Sequence, residues 1–154
     1  MKENGVTEAM SVAISYKKEE LEAVPPNNTK EVSLEDITKK EILIKPLTTT
    51  AFCNNQSDSR MYARALRVAL IKQTELQITF ISFTEQSVTD ESIELTYTGT
   101  LRFGEDKKDK LIIEGTMTLL KEGDLWKVNN DIYNSEDIYD IIESENTNGL
   151  IDTK

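Results

Sequence analysis

The sequence predicts an α+β domain in which about three N-terminal helices pack against a curved antiparallel meander of four or more strands. Three observations predict this class. Apolar residues recur every three or four positions through much of the chain up to Lys72. Beyond Lys72 they recur at every second position. Short polar turns join the alternating segments, which favours strands that follow one another in an antiparallel sheet.

The first helix is predicted from Val6 to Val24, where Pro25 and Pro26 end it. Proline has no backbone N–H to donate, so two consecutive prolines are a strong stop signal for a helix. Charged residues at 17–20 stand between the apolar positions. The apolar positions with helical spacing are Val6, Met10, Ala13, Ile14 and Leu21.

A second helix is predicted to begin after Ser33, whose hydroxyl can cap it, and to end before Pro46. Residues 48–59 are predicted to form a polar loop. From this loop, three residues can still enter the core: Ala51, Phe52 and Cys53.

The third helix is predicted from about Asp58, in a segment rich in good helix formers. Its apolar positions have helical spacing, and arginines occupy another face. The apolar face comprises Tyr62, Ala65, Leu66, Ala69 and Leu70, and the basic face carries Arg60, Arg64 and Arg67.

Four strands, each with one apolar and one polar face, are predicted after Lys72. The turn Glu122-Gly123-Asp124 separates the third from the fourth. Gly99 and Gly115 lie within two of the strands, where a missing side chain permits a bulge or a sharp bend, so the sheet is expected to curve strongly. The apolar positions are Leu76, Ile78 and Phe80, then Ile93, Leu95, Tyr97, Leu101 and Phe103, then Leu111, Ile113, Met117 and Leu119, and finally Trp126 and Val128.

The composition bounds the chemistry of the chain. Its 154 residues carry 28 acidic and 18 basic side chains, a net charge of −10, so nucleic acid is not expected as a partner. There is no histidine, which excludes Ser-His-Asp and Cys-His pairs and zinc sites with histidine ligands. Cys53 is the only cysteine and is expected to be a small buried side chain. We expect no cofactor, no metal and no enzymatic activity.

The location of the protein is less constrained by composition. No apolar run reaches the roughly 20 residues that cross a bilayer, and the N-terminal region lacks the layout of a signal peptide. We therefore expect no membrane insertion by this segment. Tethering by an anchor that precedes residue 1 stays open, and so does a cytoplasmic location.

The stretch from Gly115 to Asn129, GTMTLLKEGDLWKVN, carries a resemblance to a known family. One strand ends in a charged turn and the next begins with Trp126-Lys127-Val128. This resembles the closing hairpin of domains of the nuclear transport factor 2-like superfamily, especially those displayed outside Gram-positive cells. The superfamily has a cone-shaped fold and includes ketosteroid isomerase and scytalone dehydratase. The bridge proteins of conjugative transfer and type IV secretion systems are similar in general layout.

The resemblance implies that any ligand would occupy the interior of the cone, which Tyr16, Tyr97 and Trp126 are candidates to line. Ketosteroid isomerase uses a carboxylate base with a tyrosine and a protonated carboxylic acid. Neither tyrosine lies in a motif that matches those enzymes, and scytalone dehydratase relies on histidine, so no catalytic residue is assigned. In the competing interpretation, Tyr16, Tyr97 and Trp126 belong to the hydrophobic core and bind no ligand. Trp126 then covers the inner side of the sheet, while Lys121 and Lys127 stay in water.

Two surfaces are candidates for a protein partner. One is the acidic segment 135–143, whose isoleucines either face a partner or close the open end of the cone. The other is a basic patch on the third helix, for which a solvated helix face is the competing interpretation. A cluster of side-chain oxygens between Asn129 and Asp137 lacks the spacing of a calcium loop and is expected to be solvated. The partner-surface candidates are Ile138, Ile141 and Ile142, and Arg60, Arg64 and Arg67.

We therefore expect a single domain over residues 1–143, followed by an acidic flexible tail over 144–154. Its expected function is that of a non-enzymatic interaction or scaffold domain of a bacterial cell-envelope protein, extracytoplasmic, with a protein partner or a second copy bound. Two alternatives stay open. One is a component of a conjugative transfer or type IV secretion apparatus. The other is a small-molecule-binding protein, or an isomerase-like or dehydratase-like enzyme, that uses the interior of the cone.

Overall fold

The structure is a computed structural model that describes residues 2–25, 32–58, 60–104 and 110–143. Helices come first and a four-stranded antiparallel sheet follows, in the strand order β1-β2-β3-β4, so the predicted α+β class with a curved meander is confirmed. The predicted tail, 144–154, lies outside the described residues. The elements are α1 (Lys2–Leu21), α2 (Leu34–Ile44), α3 (Thr50–Asp58), α4 (Arg64–Lys72), β1 (Leu76–Val88), β2 (Ser92–Phe103), β3 (Lys110–Glu122), β4 (Leu125–Tyr133) and a final helix, α5, over 136–143.

α1 ends at Leu21, three residues earlier than predicted. The chain leaves the helix before the prolines because Ala23 pairs with Leu76 of β1, through backbone hydrogen bonds of 2.8 and 3.2 Å. Lys40 of α2 then donates to the backbone oxygens of Glu19 and Glu22 at this end of α1. The end of α1 is therefore tied both to the sheet and to the second helix.

The start of α2 is confirmed, because the Ser33 hydroxyl accepts a hydrogen bond of 3.1 Å from the backbone N–H of Asp36. Pro46 lies in a short 3₁₀ helix, Lys45–Leu47, that follows α2. The prediction of a loop over residues 48–59 is wrong, since α3 occupies most of this segment. The Thr49 hydroxyl accepts from the backbone N–H of Phe52 at 3.2 Å and caps this helix, which buries Phe52 and Cys53 while Ala51 stays exposed.

The third predicted helix is divided. Arg60 adopts a left-handed backbone conformation, with φ of 59°, and a 3₁₀ turn (Met61–Ala63) follows before α4 begins. Arg60 is therefore not on the same helix as Arg64 and Arg67. The prediction of one continuous basic helix face is wrong.

The strands match the predicted alternation except where bulges shift it by one residue. β1 continues to Val88 and has register shifts between Ile78 and Phe80 and between Glu85 and Ser87. An extra residue reverses which side of the sheet the following side chains face. Phe80, expected to face inward, is consequently 56% exposed.

A third bulge shapes the end of β4. Leu119 pairs with Val128 and Thr118 pairs with Asn130, so Asn129 is the extra residue. Thr49 holds this bulge, because its backbone N–H donates to Val128 O at 2.9 Å and its hydroxyl donates to Asn129 Oδ1 at 2.9 Å. Beyond the bulge, the inward positions are odd-numbered and include Asp131.

The glycines lie beside these bulges and not in them. β2 and β3 pair without a register shift, and the irregular strands are their outer neighbours, β1 and β4. A Cβ at Gly99 would lie 2.9 Å from Phe80 O, and one at Gly115 would lie 2.6 Å from Ile132 O. The missing side chains thus let the bent outer strands approach closely.

The core lies between α1, α4 and the inner face of the sheet, and the predicted inward placement of Trp126 is confirmed. Lys121 is exposed, and Lys127 donates to Pro46 O at 2.9 Å. Among the residues that the structure describes, no helix combines the length and the apolar character that crossing a membrane requires.

Candidate functional site

A fully buried lysine is the centre of the candidate site. Lys17 of α1 has no exposed side-chain surface, and its Nζ lies 2.6 Å from Glu20 Oε1 and 2.8 Å from Asp131 Oδ2. Both carboxylates are themselves only 2% exposed. Glu20 belongs to the same helix, one turn further on, and Asp131 comes from β4. One cation thus lies between two carboxylates inside the protein.

Tyrosines complete the hydrogen bonding of the two carboxylates. Tyr97 donates to Asp131 Oδ1 at 2.6 Å, and Tyr133 donates to Glu20 Oε2 at 2.7 Å. Lys17 Nζ also lies 3.6 Å from the ring centroid of Tyr133, within the range of a cation–π contact. The hydroxyls of Tyr16 and Tyr62 bond to each other at 3.3 Å nearby. We call this set the Lys17 cluster: Tyr16, Lys17, Glu20, Tyr62, Tyr97, Asp131 and Tyr133.

The sequence brings these residues together by three local devices. In α1, Lys17 and Glu20 follow Ala13 at steps of four and three, so they share its buried face. In β4, the bulge at Asn129 turns Asp131 toward the inner side of the sheet. In β3, a Cβ at Gly115 would lie 2.8 Å from Tyr97 Oη, so only glycine leaves room for the phenol.

The cluster carries one positive and two negative charges, and this imbalance explains its pKa values. Burial alone lowers the pKa of Lys17, but the nearby Asp131 and Glu20 outweigh it, so the pKa is raised. For Asp131, burial raises the pKa more than Lys17 lowers it, and Glu20 adds to the rise. Lys17 is therefore held as the ammonium ion, while the second carboxylate lacks a full counter-charge.

The four tyrosines hold their protons strongly. Burial is the main cause that raises the pKa of Tyr16, Tyr62, Tyr97 and Tyr133 above its ordinary value, and the neighbouring Glu20 and Asp131 add to it. The phenols of Tyr97 and Tyr133 thus act as hydrogen-bond donors. In the described part of the chain, no group of three or more Cys, Asp or Glu side chains is arranged to hold a metal ion.

The three residues predicted to line an interior lie in two different places. Tyr16 and Tyr97 belong to the Lys17 cluster, and both bond to other side chains. Trp126 is buried at the other end of β4, where a Cβ at Gly5 of α1 would lie 3.7 Å from its indole nitrogen. Lys121 Nζ lies 5.8 Å from the centroid of the Trp126 ring.

The predicted partner surface over α5 is corrected. Ile138 and Ile142 are each 2% exposed and belong to the core, and Ile141 is half-buried against it. They cannot present an apolar face to a partner because α5 packs that face against the rest of the domain. The burial of these isoleucines agrees with the competing interpretation of segment 135–143, in which they close the core.

The basic patch is partly engaged within the chain. The Arg64 guanidinium carbon lies 5.7 Å from the ring centroid of Tyr139 on α5. Arg67 is exposed on α4, and Arg60 is exposed on the preceding turn. The structure therefore assigns Arg64 an intramolecular contact and leaves Arg60 and Arg67 at the surface.

The oxygen cluster predicted to be solvated serves separate structural roles. Asn129 forms the bulge of β4, and Asp131 is the buried partner of Lys17. Asn134 donates to Ile112 O and to Asp137 Oδ2, both at 2.8 Å, at the start of α5. The expectation of a solvated stretch is wrong for Asp131.

Sequence reasoning missed five residues of the Lys17 cluster as site residues. A signal existed for Lys17 and Glu20, which share the helical face of Ala13. A signal existed too for Tyr62, which was assigned to an apolar face. None existed for Asp131 and Tyr133, because their orientation depends on a bulge that the alternation does not indicate. Comparison of the chain with protein-family models gives no match, and comparison with curated proteins gives none either.

Proposed function

We propose that this chain is a protein-interaction or scaffold domain of the nuclear transport factor 2-like type, in which the interior serves stability and the outer surface serves binding. The order of elements and the hairpin around Trp126 support the family proposal. The observation that carries the functional proposal is that the charged groups of the Lys17 cluster bond to other members of the cluster. Lys17 bonds to both carboxylates, and Tyr97 and Tyr133 donate to their remaining oxygens.

An enzymatic interior needs polar groups aimed at a substrate. Here both oxygens of Asp131 and both oxygens of Glu20 already accept hydrogen bonds from Lys17, Tyr97 and Tyr133. A substrate would have to break at least one of these buried contacts, and a buried ion that loses its partner is strongly destabilised. Such a cluster favours a structural role.

The outer face of the sheet offers a surface for a partner. Phe80 pairs with Thr100, and Thr100 pairs with Ile112, so these three side chains lie in one row on the same face. Phe80 is 56% exposed and Ile112 is 45% exposed. We call this the outer row. The chain as a whole has a net charge of −10, which favours a protein partner that combines an apolar contact with positive charge.

A photo-crosslinking experiment in the native host tests this proposal. A photoreactive amino acid placed at Phe80 or Ile112 is expected to give a discrete crosslinked product. The matched control is Leu34, an exposed apolar residue on α2, where no such product is expected. Crosslinks that appear equally at all three positions, or at none, would contradict a specific partner on the outer row.

The proposed cell-envelope location has its own test. A membrane-impermeant amine reagent applied to intact cells is expected to label exposed lysines such as Lys39. Labelling that occurs only after lysis would place the domain in the cytoplasm and remove this part of the proposal.

A small-molecule-binding protein is the second candidate, and the Tyr97–Asp131 contact favours it. A phenol that donates to a carboxylate on the inner side of the sheet is a group that could bind or activate a ligand. Titration with a library of small ketones and carboxylic acids distinguishes the small-molecule-binding protein from the scaffold domain. NMR of the tyrosine side chains detects the binding. Saturable shifts at Tyr97 and Tyr133 would favour this candidate, and unchanged signals are expected from the scaffold domain.

A further inference from the structure

We propose that Lys17 and Asp131 condense after folding to form a side-chain amide, an isopeptide bond between α1 and β4. Lys17 Nζ lies 2.8 Å from Asp131 Oδ2. Since a carboxyl C–O bond is about 1.2 Å long, Asp131 Cγ lies at most about 4 Å from Nζ, so a small shift brings the two atoms to the roughly 3–3.5 Å at which groups react. Both side chains are almost fully buried, which restricts their movement away from this arrangement. Well-oriented groups within one molecule reach effective concentrations of about 10⁵–10⁸ M.

Glu20 and Tyr97 lie where this reaction needs them. Glu20 Oε1 is 2.6 Å from Lys17 Nζ and can accept a proton from the ammonium, which frees the lone pair that attacks. Tyr97 donates to Asp131 Oδ1 at 2.6 Å, so it polarises the carboxyl group and stabilises negative charge on that oxygen. Asp131 Oδ2, on the side of the amine, is the leaving oxygen.

The step balances without a co-reactant. The bond between Nζ and Cγ forms, and the bond between Cγ and Oδ2 breaks, with its electron pair leaving on oxygen. Lys17 gives up two protons, relayed by Glu20, and both leave with Oδ2 as one water molecule. Nothing is oxidised or reduced, and Glu20 ends in the state in which it began. The ammonium and carboxylate charges disappear together.

The surroundings supply hydrogen-bond partners for the product. A buried ion pair is replaced by a neutral amide, which removes two desolvated charges, while Glu20 loses its cation and depends on hydrogen bonds alone. The amide oxygen, formerly Oδ1, keeps the hydrogen bond from Tyr97, and the amide N–H can donate to Glu20 Oε1, whose other oxygen still accepts from Tyr133. Every polar group of the product therefore has a partner among residues already in place.

Protonation sets the rate of this reaction. The raised pKa of Asp131, caused mainly by burial, favours the protonated carboxyl group that the attack requires. The pKa of Lys17 is also raised, by Asp131 and Glu20 against the effect of burial, so the neutral amine is a minor species. We therefore expect the bond to form slowly after folding, and the linked fraction to increase with incubation time.

Intact-mass spectrometry of the full chain after denaturation tests the proposal. The expected result is a mass lower than that of the sequence by one water molecule, in a fraction that increases during incubation at neutral and mildly acidic pH. A proteolytic map is expected to contain one branched peptide that joins Lys17 to Asp131, with no tryptic cleavage after Lys17. A folded wild-type chain that keeps its full mass after prolonged incubation would overturn the proposal.

Three variants exclude other causes of a mass loss. Lys17→Met is expected to keep the full mass, whereas a cyclised aspartate or asparagine elsewhere would still lose mass in this variant. Asp131→Asn is expected to lose ammonia in place of water, because the amide nitrogen is then the leaving group. Glu20→Gln is expected to slow the linkage by about 10²-fold or more, because it removes the proton acceptor. A water loss that maps to other residues, or that persists in Lys17→Met, also overturns the proposal, and the wild-type result stands if a variant fails to fold.

Discussion

Lys17 pairs with two buried carboxylates, so its removal has a larger effect than the loss of one contact. In Lys17→Met, Glu20 and Asp131 stay buried without this cation. Relative to the wild-type chain before any linkage to Asp131 forms, we expect the free energy of unfolding to fall by about 3–5 kcal/mol. Denaturant unfolding followed by circular dichroism measures this change. Burial already raises the pKa of Asp131, and the loss of Lys17 removes the main cause that lowers it, so the variant should regain stability as the pH falls.

The adjacent Lys18 supplies a matched control for this prediction. It lies on the exposed face of α1, so Lys18→Met should change the free energy of unfolding by no more than about 0.5 kcal/mol. If the two methionine variants unfold at the same denaturant concentration, the buried charge cluster does not stabilise the fold as described.

Trp126 makes a different kind of contribution, through volume in the core. Trp126→Ala removes a large buried aromatic and should cost about 3–5 kcal/mol. Its neighbour Leu125 is 63% exposed, so Leu125→Ala is the matched control and should stay within about 0.5 kcal/mol of the wild type. A denaturation midpoint that is insensitive to the loss of Trp126 would contradict its placement.

The site could be predicted from the sequence only where a residue agrees with the local pattern. Tyr97 and Trp126 lie at alternating apolar positions, so the pattern predicts their inward placement, and both are buried. Lys17 was not, because a charged residue on a helix is normally solvated, and its burial depends on carboxylates 3 and 114 positions away in the chain. Asp131 was missed because long-range contacts from Thr49 hold the bulge that turns it inward.

At the scale of an element, Gly115 limits how closely β3 and β4 can pack. A Cβ there would lie 2.6 Å from both Ile132 O and Tyr133 Cβ, so Gly115→Ala requires the backbone of β4 to move. We expect a loss of about 1–3 kcal/mol, typical of overpacking. The proximity of Tyr97 Oη also predicts a changed near-ultraviolet circular dichroism signal from the tyrosines.

Gly5 is the matched control, since the same substitution meets no obstacle there. A Cβ at Gly5 would lie 3.7 Å from its nearest neighbour, which is an ordinary contact, and alanine favours a helix by up to about 1 kcal/mol over glycine. Gly5→Ala should therefore raise the thermal midpoint while Gly115→Ala lowers it. Equal effects of the two substitutions would show that steric crowding at β4 is not the cause.

The elements themselves were predictable to the extent that one local signal defines each. Ser33 and the changes in apolar period indicated α2 and the four strands, because capping and burial act over a few residues. α3 was missed because its cap, Thr49, begins a segment rich in Asn, Gln and Ser, which is also typical of loops. Phe80 was assigned to the wrong face because a bulge leaves no mark in an alternating sequence.

At the scale of the whole molecule, the fold class was predictable because it depends on the period of many residues at once. The change of period near Lys72 involves most of the core, so errors at single positions, such as Phe80, do not alter the class. The surface carries the excess negative charge, while the Lys17 cluster keeps its own charges inside. The buried groups of the cluster therefore contribute their own pH dependence to stability, in addition to that of the surface charge.

Alkaline conditions should unfold this protein cooperatively. Burial raises the pKa of Tyr16, Tyr62, Tyr97 and Tyr133 above the ordinary value of 10.0, so above that pH the unfolded chain releases protons that the folded chain retains. A group with a raised pKa loses its stabilising contribution as the pH rises, and each such proton lowers the free energy of unfolding by about 1.4 kcal/mol per pH unit. Denaturant titrations at several pH values, together with the ultraviolet absorbance of tyrosinate, measure this slope. Tyrosinate should appear in the same transition in which circular dichroism is lost. Early ionisation of most tyrosines in a chain that remains folded would mean that the phenols of the cluster are accessible to solvent and that burial does not control them.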